Sequence, residues 1–148
     1  MFTKIINKLF NSNDNAISFK QGFELTDLPI CTFYQNGKKL NFLLDTGSTD
    51  NVIDSNALGM IEHSKVENMK SNLYGVDGNK KEVPVCEITL QYKDNNYSFI
   101  YLISDMKTAF GNIKAESGVN LHGIIGSKFF NEFQYVLDFK ELIAYSKL

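Results

Sequence analysis

The sequence predicts a closed, mostly β domain with one or two short helices. Three observations favour this fold class: short apolar runs of strand length recur along residues 30–145, turn signals separate them, and only two segments of this region have helical character. A chain of 148 residues is long enough for one domain with a hydrophobic core and too short for two substantial ones. We therefore expect a single β domain over residues 23–148, preceded by an N-terminal segment over residues 1–22.

The N-terminal segment carries an apolar stripe at helical spacing, followed by a polar linker over residues 11–15. Such a helix either packs on its own domain or dimer, or lies on a membrane surface or partner. We expect no signal peptide, because the segment has no continuous apolar core and no small-residue cleavage site. The expected location is cytoplasmic, with peripheral membrane association through residues 1–10 as the alternative. The longest apolar run, residues 99–103, predicts no integral membrane segment. The stripe consists of Phe2, Ile5, Ile6, Leu9 and Phe10.

Three hairpins are predicted within the β domain. The dipeptide Asn36-Gly37 tolerates positive φ at both positions and joins strands at 30–34 and 40–44. The other two hairpins pair 88–92 with 97–103 across a turn at 94–96, and 136–139 with 142–145. Helices are expected at 55–63 and 127–133, with Ser55 and Ser127 as N-caps.

Charge and composition give no indication of nucleic-acid binding or of a metal site. Fifteen Lys and Arg against 17 Asp and Glu give a net charge of −2, so the chain as a whole gives no reason to expect nucleic-acid binding. Cys31 and Cys86 both lie in apolar stretches and are expected as buried free thiols. The two histidines, His63 and His122, are far apart in sequence and no Cys/His cluster has ligand spacing. We therefore expect neither a metal nor a cofactor.

The segment most suggestive of catalysis is residues 43–49, where a predicted apolar strand ends at Asp45 and a turn of small residues follows. Gly47 lets the backbone turn sharply and bring its N–H to the carboxylate, and Thr46 and Ser48 add hydroxyls. This arrangement suits an acid kept ionisable in a confined place, which general acid–base catalysis requires. The alternative is a strand-end turn in which these residues serve only the turn geometry.

Two further segments extend the pattern: a glycine-bearing turn at 74–78, and an aliphatic pair with glycine before a short helix at 124–126. In this order the three segments resemble the retropepsin-like aspartic proteases, over about residues 23–145. The resemblance implies the closed β-barrel of that family, with Asp45 as the catalytic acid, Thr46 bonding across a dimer and Gly47 donating to the carboxylate. The flap turn lacks the glycine run of retroviral members, and the first twenty-odd residues have no counterpart. Substrate contacts would fall on Ser48, Tyr74, Gly75, Val76, Ile124, Ile125 and Gly126.

Aspartic protease chemistry needs two carboxylates that share one proton. The chain carries a single Asp-Thr-Gly, so the resemblance implies a C2 homodimer with both Asp45 residues on the axis, acting on an extended peptide. Two other functions remain open: a non-catalytic module of the same fold that binds peptides or a partner, and an actin-like nucleotide phosphate loop. The length of the chain argues against the second, because that fold needs two large lobes. For His122, the two interpretations are a solvated or hydrogen-bonded loop residue and a residue that tunes Asp45.

Overall fold

The computed structural model describes residues 16–75 and 77–148, so the predicted N-terminal helix, its linker over 11–15 and Val76 lie outside the described residues. Most of the described chain is β-structure, with a few short helices. The strands are β1 (Ile30–Gln35), β2 (Lys38–Leu44), β3 (Asn51–Asp54), β4 (Ser64–Tyr74), β5 (Lys80–Tyr92), β6 (Asn95–Ser104), β7 (Gly123–Ile125), β8 (Tyr135–Asp138) and β9 (Ile143–Ser146). The helices are α1 (Phe19–Thr26), α2 (Lys107–Ser117), α3 (Ser127–Glu132) and a 3₁₀ helix over Ser55–Met60.

Six strands close into a β-barrel, which confirms the predicted fold class. Their order is β1-β2-β7-β3-β6-β5, and β5 closes the ring by pairing with β1 at a single position, Tyr34 opposite Gln91. Strand β4 pairs with the N-terminal part of β5, from Ser64 opposite Glu87 to Tyr74 opposite Lys80. Strand β4 is thus the free arm of a long hairpin that extends from the barrel.

A glutamine side chain completes the seam where β1 meets β5. The Gln35 Nε2 donates to the Glu62 carbonyl at 2.8 Å and to the Thr89 carbonyl at 3.3 Å, while its Oε1 accepts the Glu62 N–H at 2.8 Å. The Gln35 side chain therefore links β1 to β5 and to the segment that precedes β4, beside the single strand pair.

The hairpin predictions hold with one shift of a turn. Asn36 and Gly37 have φ of 49° and 78°, as the two-residue turn requires. The β5–β6 turn is centred on Lys93 and Asp94, which have positive φ, rather than on residues 94–96. The last hairpin, β8–β9, forms a separate two-stranded sheet.

The helices depart most from expectation. Helix α1 spans the predicted 22/23 boundary, so the first residues of the expected β domain, from Phe23 to Thr26, are helical and the first strand begins at Ile30. The 3₁₀ helix is capped by the Asp54 side chain, which accepts the Asn56 N–H, and not by Ser55. Ser127 is the first residue of α3 and not its cap. Helix α2 was not predicted.

Aromatic rings dominate the main core. Phe129 on α3 is fully buried, and its ring centroid lies 4.8 Å from that of Phe133 and 5.4 Å from that of Tyr97. Cys31 and Cys86 are both free and buried here, as predicted. Because α3 is fixed by this core, its first turn is a rigid support for whatever it contacts.

Candidate active site

The loop that carries Asp45 begins where two parallel strands end together. Strands β2 and β7 are paired in register from Phe42 opposite Gly123 to Leu44 opposite Ile125. The pairing extends one step into the loop, because the Asp45 N–H donates to the Ile125 carbonyl at 2.9 Å. The parallel ladder therefore fixes the backbone of Asp45 relative to a strand some 80 residues later in the chain.

Asp45 is half-buried, and its carboxylate is hydrogen-bonded within its own turn. Its Oδ1 accepts the Gly47 N–H at 2.9 Å, and its main-chain carbonyl accepts the Ser48 N–H at 3.1 Å. A Cβ at Gly47 would lie 3.1 Å from Oδ1, closer than ordinary van der Waals contact. The predicted donation from Gly47 to the carboxylate is present, and glycine allows this approach.

The first turn of α3 holds the other side of the loop. The Ser127 N–H donates to the Ser48 carbonyl at 2.8 Å, and the Lys128 N–H donates to the Thr49 carbonyl at 3.1 Å. The Ser127 hydroxyl donates to the Thr46 carbonyl at 2.7 Å. The N–H groups of Ser127 and Lys128 stand at the start of α3, where backbone N–H groups have no intrahelical acceptor. The carbonyl groups of the loop supply these acceptors. The Thr46 side chain remains exposed.

Two further contacts fasten the end of the loop. The buried Asn51 side chain accepts the Gly126 N–H at 2.8 Å, and Lys128 Nζ lies 2.7 Å from Asp50 Oδ1. The lysine side chain is 58% exposed and that of Asp50 25%, so this ion pair adds at most about 1 kcal/mol. Neither pair was predicted, because nothing local in the sequence links residues 50–51 with 126–128.

The predicted substrate contacts divide by burial. Ile125 is fully buried in the main core and Gly126 is buried against the loop, so neither offers surface to a ligand, and a contact role does not fit them. Ser48 is half-buried and its hydroxyl donates to the Asp50 carbonyl at 2.7 Å. Ile124 is half-buried and packs on an apolar cluster with buried Val52.

The predicted flap is the β4–β5 hairpin. Its tip is closed by Gly75 N–H donating to the Asn79 carbonyl at 2.8 Å and by Gly78, at φ +81°. Tyr74 at the tip is 65% exposed. Leu73, one residue before Tyr74, and Val83 belong to the same apolar cluster as Ile124, so the hairpin is packed on the barrel close to its tip. Val76 is outside the described residues.

His122 lies immediately before β7, at the opposite end of that strand from Ile125 and Asp45. It stands beside Asn41, whose N–H donates to its Nδ1 at 2.9 Å. Asn41 precedes Asp45 by four residues, about 13 Å along a strand. The ring is buried, and burial lowers the pKa of His122 below its usual value. His122 is thus hydrogen-bonded and not solvated as one interpretation had it, and the tuning interpretation does not fit this position.

No protein-family model matches the chain. Over residues 16–75 and 77–148, no group of three or more His, Cys, Asp and Glu side chains is arranged to hold a metal ion. Among the described helices, none has the length and apolar character needed to cross a membrane.

Proposed function

We propose that the protein is a retropepsin-like aspartic endopeptidase, active as a homodimer that joins two Asp45 carboxylates. The observation that carries the proposal is the setting of Asp45 at the ends of β2 and β7. The residue is half-buried and its carboxylate accepts the Gly47 N–H, in a loop that β7 and α3 hold by backbone hydrogen bonds. A rigidly held, accessible acid suits general acid–base catalysis on a bound ligand.

The chemistry requires a second carboxylate beside the first. One ionised carboxylate takes a proton from water while the protonated partner donates to the carbonyl oxygen of the scissile peptide. Two like charges so close cannot both ionise, so the pair holds one proton.

The neighbouring acids of the same chain are poorly suited to this role. Asp50 is ion-paired with Lys128. Asp54 is buried at the far end of β3, and its Oδ1 already accepts N–H groups from Asn56 and Met106. These engagements favour a second copy of the chain as the source of the partner carboxylate.

The surroundings of the loop favour an extended peptide as substrate. The β4–β5 hairpin presents a free strand edge and an exposed Tyr74, features that allow a peptide to add as a strand. The half-buried Ile124, on the strand beside Asp45, belongs to an apolar cluster that also contains the half-buried Leu73 of the hairpin. We therefore expect cleavage between apolar side chains in unfolded segments.

The test compares the wild-type protein with Asp45→Asn. We expect the wild type to sediment as a dimer and to hydrolyse unfolded protein in a pepstatin-sensitive manner, and the variant to fold normally and hydrolyse nothing. Asp94→Asn, the same chemical change in the exposed β5–β6 turn, is the matched control and should keep full activity.

Mixing the two proteins tests the shared site. In an equal mixture that has exchanged subunits, roughly a quarter of the dimers carry two Asp45 carboxylates, and the activity per wild-type chain should fall by about half. An active Asp45→Asn protein would refute the assignment. A monomeric wild type that binds peptides without cleaving them would instead identify the non-catalytic module.

A further inference from the structure

We propose that Ser127 is a positioning residue for Asp45, acting through the peptide unit between Thr46 and Gly47. The catalytic consequence of this role rests on the proposed function, whereas the positioning itself does not. Ser127 does not touch the Asp45 carboxylate. It holds the group that does.

The connection is a single peptide plane. The Ser127 hydroxyl donates to the Thr46 carbonyl at 2.7 Å, and the Gly47 N–H of the same peptide unit donates to Asp45 Oδ1 at 2.9 Å. A trans peptide is planar, with its C=O and N–H pointing in opposite directions. Fixing the carbonyl on Ser127 therefore fixes the direction in which the Gly47 N–H points, which is toward the carboxylate.

This hold matters because few other groups orient that peptide. Among the described residues, the hydroxyl of Ser127 is the one donor to the Thr46 carbonyl, and Gly47, having no Cβ, leaves the peptide free to rotate. The Ser127 N–H anchors the serine itself by donating to the Ser48 carbonyl at 2.8 Å. Ser127 is thus hydrogen-bonded to the carbonyl groups of the residues on both sides of Gly47, Thr46 and Ser48.

Polarisation acts in the same direction as geometry. A hydroxyl that donates to a carbonyl makes the N–H of that peptide a stronger donor, because hydrogen bonds in a chain reinforce one another. The Gly47 N–H should therefore bind the carboxylate more strongly with Ser127 present than without it. In a dimer, this bond would set the orientation of each carboxylate toward the bound water.

The direct test is the Gly47 amide proton in two-dimensional NMR spectra. A strong hydrogen bond to a carboxylate moves this proton downfield, and Asp45→Asn identifies the resonance. In Ser127→Ala we expect the resonance to move upfield and its amide hydrogen to exchange faster, and Ser127→Thr should restore both. Ser146→Ala is the matched control, because it removes a similar hydroxyl-to-carbonyl bond, to Phe133 at 2.6 Å, in β9.

Kinetics provide the second readout. Ser127→Ala should lower kcat about fivefold, the rate equivalent of one hydrogen bond, with little change in KM. Ser127→Thr should recover most of kcat, whereas Ser146→Ala should leave both constants unchanged. If the alanine variant does not fold, the pair Ser127→Thr and Ser127→Val, which are equal in shape, repeats the comparison.

The outcomes separate the two proposals. A Gly47 resonance that stays in place when the hydroxyl is removed would overturn the positioning role, whatever the activity. A resonance that moves as expected, in a protein whose wild type cleaves no peptide, would support the positioning role and refute the protease.

Discussion

Replacing Gly126 with alanine tests how tightly the β7–α3 junction packs against the loop that carries Asp45. A Cβ built at Gly126 lies 2.5 Å from the Asp50 carbonyl oxygen and 2.6 Å from that of Ser48. Both are backbone atoms and cannot rotate away as a flexible side chain would. With φ −111° and ψ −176°, the backbone of Gly126 is one that alanine adopts readily, so the whole penalty comes from the contact.

The magnitude follows from what must move. Overpacking of this kind costs about 1–3 kcal/mol, and displacing the loop weakens the Ser127–Ser48 bond, worth about 1 kcal/mol. We expect the free energy of unfolding to fall by about 2–4 kcal/mol. Urea denaturation followed by circular dichroism measures this directly, and the proposed hydrolysis of peptides should be lost at urea concentrations where the variant is still folded.

Gly111→Ala provides the control of opposite sign. Gly111 lies inside α2 with no atom within 4 Å of a Cβ, so alanine should stabilise the protein by about 0.5–1 kcal/mol through helix propensity. If the two variants unfold at the same urea concentration, the packing argument for Gly126 is wrong.

Two further predictions concern buried titratable groups. Because the pKa of His122 is lowered in the folded protein, the folded protein binds fewer protons than the unfolded chain when the pH falls through the usual histidine range. The contribution of His122 to the free energy of unfolding should therefore be complete above that range and be lost at lower pH. Urea denaturation at several pH values should show this slope, and His122→Gln, whose side-chain oxygen can still accept the Asn41 N–H, should reduce it. Burial raises the pKa of Cys86 to about 11 and raises that of Cys31 further, so neither thiol should react with a thiol reagent at neutral pH until the protein unfolds; rapid labelling of the native protein would contradict the burial.

The strands were predictable because their signals are local. The Asn36-Gly37 turn and the alternation along β5 can be recognised within a few residues. Closure of the barrel was expected only as a class, because the seam joins residues far apart in sequence, as where Gln35 donates to the carbonyl of Thr89, 54 residues away. Helix α1 carries a complete capping box from Ser18 to Gln21, a local signal that was present and overlooked. Helix α2 has no side-chain cap and a single buried residue, Phe110, so it offered little to recognise.

The candidate site also contains residues that could be predicted from local sequence and residues that could not. Asp45 and Gly47 were predictable because the bond between them spans two residues. The residues that hold their loop were not, since Ser127 and Thr46 are 81 positions apart and meet only because β2 and β7 run in parallel. The prediction for Ser127 was wrong because it rested on the residue type alone. Serine is a common helix N-cap, but the Ser127 hydroxyl donates to the Thr46 carbonyl of the loop instead.

The way the loop is held argues for a role beyond connecting β2 to β3. A simple connection needs no more than its own turn, yet this one is fastened to β7 and to the start of α3, and still leaves the Thr46 side chain exposed and Asp45 only half-buried. Rigid backbone combined with exposed polar groups is what a binding or reacting surface requires. A peptide-binding module and a protease would both use such a loop, but only the protease needs a second carboxylate. Specific activity that falls on dilution, as dimers separate, therefore distinguishes them, because binding by a single chain is independent of protein concentration.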